Sequence, residues 1–234
     1  ITAHCNTTIG KNGTFSSRLQ PNHPTDSVKG VTSSLLEGLS YGVGDAVLGL
    51  NPAVDTLEST SNILNLFNDV KTRLEIPTQI CVLSHITTQM KALENGVAMD
   101  LCFQSIAGSE ISLNSFGVTT DMLKEANDMM KELSTAEGPN YMYFETGQGS
   151  ELSSNGHNGA DQQTMEARCY GLARHYKPFL VNTVVGFIGP EYIYDTKELI
   201  RAALEDNFCG LMHGLPMGCD ICYTNHMKAD QNDV

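Results

Sequence analysis

The sequence is poor in basic residues and has no long apolar run. Fourteen Lys and Arg stand against 27 Asp and Glu, which gives a formal net charge of −13. We therefore do not expect a nucleic-acid partner, because binding one requires Lys and Arg to neutralise phosphates. No apolar stretch reaches the length of a membrane span. The hydrophobic content of 41% is ordinary for a globular protein with a real core, and the acidic balance suits a cytoplasmic one.

The two ends of the sequence also lack distinctive features. Ile1-Thr2-Ala3-His4-Cys5 is neither basic nor followed by an apolar stretch, so it predicts no signal peptide. The first residue is not Met, and the last segment, KADQNDV, carries no sign of a domain ending. We therefore expect a fragment of a longer chain.

The cysteines show neither a disulfide framework nor a metal-ligand spacing. Their number is odd, and two lie inside apolar runs; they are Cys5, Cys81, Cys102, Cys169, Cys209, Cys219 and Cys222. Buried free thiols in a reducing compartment fit this pattern best. Cys219 and Cys222 form a lone CxxC without a second ligand pair, so a structural or incidental role is favoured over a metal or redox role.

Short apolar runs alternate with segments of helical periodicity along the chain. Strands are predicted within 14–21, 43–50, 78–84, 100–106, 141–144, 178–187 and 214–219. Helices are predicted at about 26–41, 55–74, 120–134, 161–175 and 196–205, with N-caps at Asp55, Asp161 and Thr196. Strands that are apolar throughout are typical of parallel sheets covered on both faces, so the pattern predicts an α/β fold.

Two α/β architectures compete, a (β/α)8 TIM-type barrel and an open doubly wound sheet. Polar residues follow nearly every predicted strand, and an open sheet would concentrate them at one crevice. The sequence also has no GxGxxG after its first strand and no GxxxxGK[ST]. The barrel is therefore favoured, as a single domain over 1–234. It is incomplete, with about seven strands, and truncated at both ends.

The polar residues at the strand ends predict one binding site. They are Arg18, Gln20, Asn51, His85, Gln104, Ser105, Glu145, Ser153 and Asp220. Each of them could instead cap a helix or hold a loop. As a set they offer one cation, two carboxylates and several amides and hydroxyls, which suits a small polar molecule. The sequence has no nucleophile elbow and no HExxH, so a cofactor is expected to supply the reactivity.

Six segments resemble the large subunit of ethanolamine ammonia-lyase, in family order over essentially the whole chain. They are RLQPN (18–22), GVGDAVLGLNP (42–52), FQSIAGSE (103–110), YFETGQGS (143–150), VNTVVGFIGPEY (181–192) and MGCDICYTNH (217–226). The resemblance implies a barrel enzyme that uses adenosylcobalamin to convert 2-aminoethanol to acetaldehyde and ammonia. It also implies a small-subunit partner in a hetero-oligomer, and a cytoplasmic location or one inside a bacterial microcompartment.

The resemblance assigns site residues position by position. Glu145, Gln20 and Asp220 match residues that hold the substrate ammonium, and Arg18 and Asn51 match residues that hold its hydroxyl. The cofactor contacts match Pro52, Gln104 and Ser153, with Phe116 against the adenine. Two alternatives stay open: a cofactor-independent barrel lyase or aldolase, and a ligand-binding or assembly module with a vestigial site. An aldolase that uses a Schiff base needs a Lys at a strand end, and none of the predicted strands ends on Lys.

Overall fold

The structure is a computed structural model that describes residues 1–147, 149–185 and 196–221, with positions 196 and 221 described by their backbone alone. The strands are β1 (Ala3–His4), β2 (Thr8–Ile9), β3 (Arg18–Leu19), β4 (Val47–Leu50), β5 (Ile80–Val82), β6 (Cys102–Ser105), β7 (Met142–Gly147), β8 (Leu180–Val185) and β9 (Met217–Ile221). The helices are α1 (Val28–Ser40), α2 (Leu57–Arg73), α3 (Ile86–Glu94), α4 (Glu110–Ser115), α5 (Thr120–Leu133), α6 (Ser150–Ser153), α7 (Gln162–Ala173) and α8 (Thr196–Met212), with a 3-10 turn at Arg174–Tyr176.

The chain forms two compact units. The N-terminal unit contains residues 2–104 and 121–142, and the C-terminal unit contains Ile1, residues 105–120 and the described residues from Tyr143 onwards. In the N-terminal unit, β3, β4 and β5 pair in parallel, in that order. The hairpin of β1 and β2 is antiparallel, and the Gln79 side chain holds its turn by accepting from the Asn6 and Thr7 amides, each at 3.1 Å.

One face of the β3–β5 sheet carries the helices. Leu19, Leu48 and Ile80 lie in register on that face. Helix α1 approaches it closely, since a Cβ added at Gly38 would lie 2.4 Å from Leu19 Cδ1. Leu48 and Ile80 are fully buried, as expected for a sheet face covered by helices. Because side chains alternate along a strand, Arg18 lies on the opposite, helix-free face.

A buried charge stabilises the amino-terminal ends of these strands. Asp100 is fully buried and accepts from Lys71 Nζ at 2.6 Å and from the Ile80 amide at 2.8 Å. The Thr135 hydroxyl donates to its other carboxylate oxygen at 3.0 Å. A buried carboxylate needs several such partners to offset the loss of water. The set ties α2, β5 and the end of α5 together.

In the C-terminal unit, β7, β8 and β9 pair in parallel and in chain order. The register aligns Glu145 with Asn182, and Asn182 with Gly218. Helices α7 and α8 cover one face, where the Thr183 hydroxyl donates to Asp206 of α8 at 2.7 Å. Phe144, on the same face, stacks edge-on against Tyr176 with ring centroids 5.8 Å apart.

All seven predicted strands are confirmed, although residues 186 and 187 of the sixth lie outside the described residues. The five predicted helices are also present. The short helices α3, α4 and α6 and the β1–β2 hairpin were not predicted, because segments this short carry little periodicity. Among the described residues, no helix is both long enough and apolar enough to cross a membrane.

Several predicted element ends are wrong, including those of β9, which continues to Ile221, and of α8, which continues to Met212. Helix α2 takes Thr56, not Asp55, as its N-cap, since the Thr56 hydroxyl accepts from the Ser59 amide at 3.2 Å. Asp55 instead accepts from the His85 amide at 2.7 Å. Glu145 does not end its strand, because β7 continues to Gly147. The Gly-rich segment that follows forms the helix α6 at Ser150–Ser153 and is not loop throughout.

Candidate active site

Arg18 and Asn51 come from neighbouring parallel strands of the N-terminal unit. Arg18 pairs with Val47, so Gly49, two residues further along β4, lies on the same face as Arg18. The Arg18 Cδ atom is 3.9 Å from the position that a Cβ on Gly49 would occupy. The Arg18 side chain therefore extends beside Gly49 of the neighbouring strand. Asn51 follows the end of β4, at the carboxyl edge of the sheet.

Gln20 directly follows β3 and has a buried acceptor without a partner. Its Oε1 atom is inaccessible to solvent and receives no hydrogen bond from the part of the chain that the structure describes. Leaving a buried acceptor unsatisfied costs about 1–3 kcal/mol. Such an atom in a predicted binding site is satisfied when a ligand donates to it. The arrangement supports Gln20 as an acceptor for a donor group such as an ammonium.

The loop after β4 is held by Asn22 and Asp26. The Asn51 amide donates to Asn22 Oδ1 at 2.9 Å. The Asp26 carboxylate accepts from the Ala53 amide and from the Ser59 hydroxyl, both at 2.8 Å. Desolvation opposes ionisation of Asp26, but these hydrogen bonds outweigh it and lower its pKa. Asn51 and Pro52 are thus positioned by main-chain contacts, which leaves the Asn51 side chain exposed.

Glu145 and Asp220 lie on one face of the C-terminal sheet. Glu145 aligns with Gly218 through Asn182, and Asp220 lies two residues beyond Gly218 on β9. Side-chain alternation therefore places both carboxylates on the same face. Tyr143, two residues before Glu145, donates its hydroxyl to Glu145 Oε1 at 2.5 Å. This charge-assisted bond fixes one carboxylate oxygen.

The other face of that sheet holds a second pair of carboxylates. Thr146 donates to Glu166 of α7, and Thr183 donates to Asp206 of α8. Both carboxyl groups are essentially inaccessible, with Glu166 1% and Asp206 0% exposed. Burial, reinforced by the nearby Asp206 charge, raises the pKa of Glu166 to about 8. Helices α7 and α8 pack against this face, so Glu145 and Asp220 lie on the opposite face, which we call the helix-free face because neither α7 nor α8 covers it.

The residues predicted to contact a cofactor have different surroundings. Pro52 is partly exposed in the loop after β4. Phe116 is half-buried and caps the C-terminus of α4, and Ser153 is the exposed last residue of α6. Gln104 is only 4% exposed, and its Oε1 accepts from the Ile86 amide at 3.0 Å. Gln104 therefore contributes to the start of α3.

Helices α4 and α6 lie side by side in the C-terminal unit. Ser112 and Ser154 hydroxyls are 2.6 Å apart. A Cβ added at Gly156 would lie 2.4 Å from Ser112 Oγ. Glu151 of α6 is 4% exposed and accepts from the Gly108 amide at 2.6 Å. These contacts bring together the two elements that carry Phe116 and Ser153.

Sequence reasoning missed Asn182 and Tyr143. Asn182 is 6% exposed and stands within the otherwise apolar run LVNTVV of β8. An amide inside such a run is itself a signal, since buried polar groups require partners. Tyr143 was assigned only to the strand, because nothing local shows that its hydroxyl reaches the residue two positions later.

The six cysteines within the described residues are free thiols. Cys5, Cys81, Cys102 and Cys169 are buried, and Cys219 is exposed. Burial raises the pKa of the Cys102 thiol to about 12, which makes it a poor nucleophile. Cys222 lies outside the described residues. No group of three or more His, Cys, Asp or Glu side chains that could hold a metal ion occurs in the described part of the chain.

Comparison with known proteins gives one consistent result. The family model of the ethanolamine ammonia lyase large subunit (EutB) matches residues 1–234. The chain is 57% identical over 227 residues to the ethanolamine ammonia-lyase large subunit of Escherichia coli K12, and 56% identical over 227 residues to that of Salmonella typhimurium LT2. Each alignment covers 97% of this chain and 50% of the relative. The chain thus spans about half the length of the curated relatives it matches.

Proposed function

Since the chain belongs to the ethanolamine ammonia-lyase large-subunit family, we propose that it carries the substrate-binding part of an enzyme that converts 2-aminoethanol to acetaldehyde and ammonia. The observation that carries this proposal is the family match over residues 1–234. The accessible carboxylates on the helix-free face of the C-terminal sheet support it. They suit a small cation, because each can accept several hydrogen bonds from an ammonium.

The roles of the site residues are proposed from the family resemblance. Glu145, Asp220 and the unpaired Gln20 Oε1 accept hydrogen bonds from the substrate ammonium. Arg18 and Asn51 donate to its hydroxyl. Fixed hydrogen bonds at both ends orient the substrate and hold the amino group while it changes position. Tyr143 keeps Glu145 in place for this task, through its 2.5 Å bond.

We propose adenosylcobalamin as the cofactor, with Pro52, Ser153 and Phe116 in contact with it. When bound, it supplies the radical that removes hydrogen from the hydroxyl-bearing carbon. The accessibility of Ser153, and the partial accessibility of Pro52 and Phe116, fit contact with a large ligand. Gln104 fits less directly, because it is 4% exposed and binds the Ile86 amide. Its proposed part is to fix the start of α3.

We propose that the catalytic domain is a (β/α)8 barrel. Residues 1–234 form a single domain that is part of this barrel. Parallel pairing within each unit and helices on one face of each sheet support this architecture. The large-subunit name of the relatives supports a hetero-oligomer with a small subunit. A cytoplasmic location, or one inside a bacterial microcompartment, is proposed from the family alone.

Turnover of 2-aminoethanol tests the proposed function. The full-length protein with its small subunit should form acetaldehyde and ammonia only when adenosylcobalamin is added. Arg18→Ala should raise KM for 2-aminoethanol about tenfold, because the hydroxyl loses a charge-assisted hydrogen bond worth roughly 1.5–3 kcal/mol. Arg18→Lys, which keeps the charge, is the matched control and should retain more of the affinity. Product formation without the cofactor would favour the cofactor-independent lyase instead.

A further inference from the structure

Asn182 has a buried hydrogen-bond donor that none of the described residues satisfies. The residue is 6% exposed, and its Nδ2 atom is inaccessible to solvent without a partner. Buried polar groups in folded proteins are nearly always paired, so an exception calls for a reason. Strand β8 needs no amide at this position for its own pairing, since a backbone ladder holds it on both sides.

The register of the sheet places this donor in the candidate site. Asn182 is the direct neighbour of Glu145 on β7, and strands in a sheet lie about 4.8 Å apart. Alternation puts its side chain on the helix-free face, with Tyr143, Glu145 and Asp220. Thr183, the next residue, points to the helix-bearing face and binds Asp206. The unpaired amide therefore belongs to the face that carries the candidate substrate carboxylates.

Gly218 leaves the space that the amide occupies. A Cβ added at Gly218 would lie 2.8 Å from Asn182 Oδ1 and 3.1 Å from Leu180 Cδ1. The side chain of Asn182 thus extends across β9, over a position without a side chain. Its Oδ1 end lies toward β9, and Nδ2 is the other end of a planar group. The neighbouring strand thus places the Asn182 amide, and its donor has no acceptor within residues 1–147, 149–185 and 196–221.

We propose that Asn182 is a substrate-positioning residue whose Nδ2 donates a hydrogen bond to the hydroxyl oxygen of the bound amino alcohol. This inference rests on the proposed function and names a residue which that function did not assign. An ammonium held by Glu145 and Asp220 has no acceptor to offer the amide. The hydroxyl oxygen, two carbons away in 2-aminoethanol, can accept a hydrogen bond from it. Asn182 thereby selects an amine that carries an oxygen beside it.

Two amines test this proposal, 2-aminoethanol and ethylamine, which lacks the hydroxyl. Their affinities for the full-length protein are measured by calorimetry without adenosylcobalamin, so that no turnover occurs. The wild type should bind 2-aminoethanol more tightly. Asn182→Leu, of similar size, should weaken the binding of 2-aminoethanol by about tenfold, or about 1.4 kcal/mol. Its affinity for ethylamine should stay within about twofold, because that ligand never used the donor.

Asn182→Asp is the second variant, in case Asn182→Leu fails to fold. It keeps the shape and replaces the donor by an acceptor. The added charge acts on both ammonium ligands alike, so the ratio of the two affinities is the readout, and it should fall by about tenfold. Thr183→Val is the matched control on the opposite face. It should lower thermal stability and leave the ratio unchanged.

The outcomes separate this inference from the proposed function. If the wild type binds neither amine, the proposed function fails. If the wild type prefers 2-aminoethanol but both Asn182 variants keep that preference, the role of Asn182 is wrong and the proposed function stands. The proposed role of Asn182 is also wrong if the wild type binds 2-aminoethanol and ethylamine equally well. It is wrong as well if Thr183→Val lowers the ratio of the two affinities as far as the Asn182 variants do. Loss of the preference in the Asn182 variants alone supports it.

Discussion

The two faces of the β7–β9 sheet both carry carboxylates, in opposite environments. On the helix-bearing face, Glu166 and Asp206 are buried and receive hydrogen bonds from Thr146 and Thr183. On the helix-free face, Glu145 and Asp220 are partly accessible. The same chemical group thus has two environments beside one sheet. Strand alternation decides the face of Glu145 and Asp220, and the packing of α7 and α8 brings Glu166 and Asp206 to the opposite face.

The more perturbed carboxylate is not on the side proposed to bind substrate. Burial and the Asp206 charge raise the pKa of Glu166, which favours its neutral form, and a neutral acid holds a cation poorly. Perturbed groups often mark functional sites, but buried structural networks perturb them equally well. The proposed binding face is therefore distinguished by its accessible carboxylates and not by a large pKa shift.

The same substitution on the two faces should have opposite consequences, and this is the largest effect expected. Glu145→Gln removes a charge-assisted hydrogen bond to the substrate, worth roughly 1.5–3 kcal/mol. Turnover of 2-aminoethanol should fall about tenfold or more, with thermal stability unchanged. Glu166→Gln keeps the size on the buried face and should leave turnover within about twofold, since it touches no substrate.

Steady-state kinetics and a thermal melt of each variant decide this comparison. Full activity in Glu145→Gln, or an equal loss in both variants, would remove the functional distinction between the faces. A loss in Glu166→Gln alone would assign the chemistry to the buried pair.

The buried carboxyl group of Glu166, on the helix-bearing side of the sheet, should make the stability of the protein depend on pH. Because the folded pKa of Glu166 is about 8 and its ordinary value is 4.5, the folded state binds more protons between these values. Stability should therefore fall as pH rises from about 4.5 to 8. Glu166→Gln removes this pH dependence, so the stability of the variant relative to wild type should rise across that window, by at most about 1.4 kcal/mol for each pH unit.

Urea unfolding at several pH values measures the gain. It should be smallest near pH 4.5 and should level off above pH 8. Parallel stability curves for the wild type and Glu166→Gln would show that the carboxyl group is no more protonated in the folded state than in the unfolded state.

The smallest effect is expected from the cysteines. Cys219 alternates with Asp220 and so lies away from the face that carries the candidate carboxylates. Cys219→Ser combined with Cys222→Ser should leave turnover within about twofold, as expected of substitutions outside a site. The second measurement is the zinc content of the purified wild type and double variant. Stoichiometric zinc retained by the wild type and lost in the double variant would contradict the assignment.

Much of the fold follows from local pattern, and the errors have local causes. The runs at 141–144 and 178–187 predicted β7 and β8, because apolar residues bounded by polar segments are sufficient to indicate buried strands. The end of β7 was misplaced, since a charged Glu145 within a strand is expected only when a neighbour satisfies it. That neighbour is the Tyr143 hydroxyl.

The candidate site was foreseen unevenly for the same reason. Glu145 and Asp220 stand out in the sequence as charges beside apolar runs. Asn182 is also a signal, as an amide inside an apolar run, but the sequence does not show whether a protein group or a ligand satisfies it. Only a complete account of hydrogen bonds distinguishes the two cases.

The order of residues along the chain was enough to establish the strand–helix alternation and the acidic balance, since these depend on composition and local periodicity. The family was indicated by the resemblance of six sequence segments. Which polar residues share a face was decided by tertiary structure. Glu145, Asn182 and Asp220 are 37 and 38 residues apart in the chain, and parallel register brings them onto one face of the sheet. Register depends on packing between distant segments, and a shift of one residue would move each side chain to the opposite face.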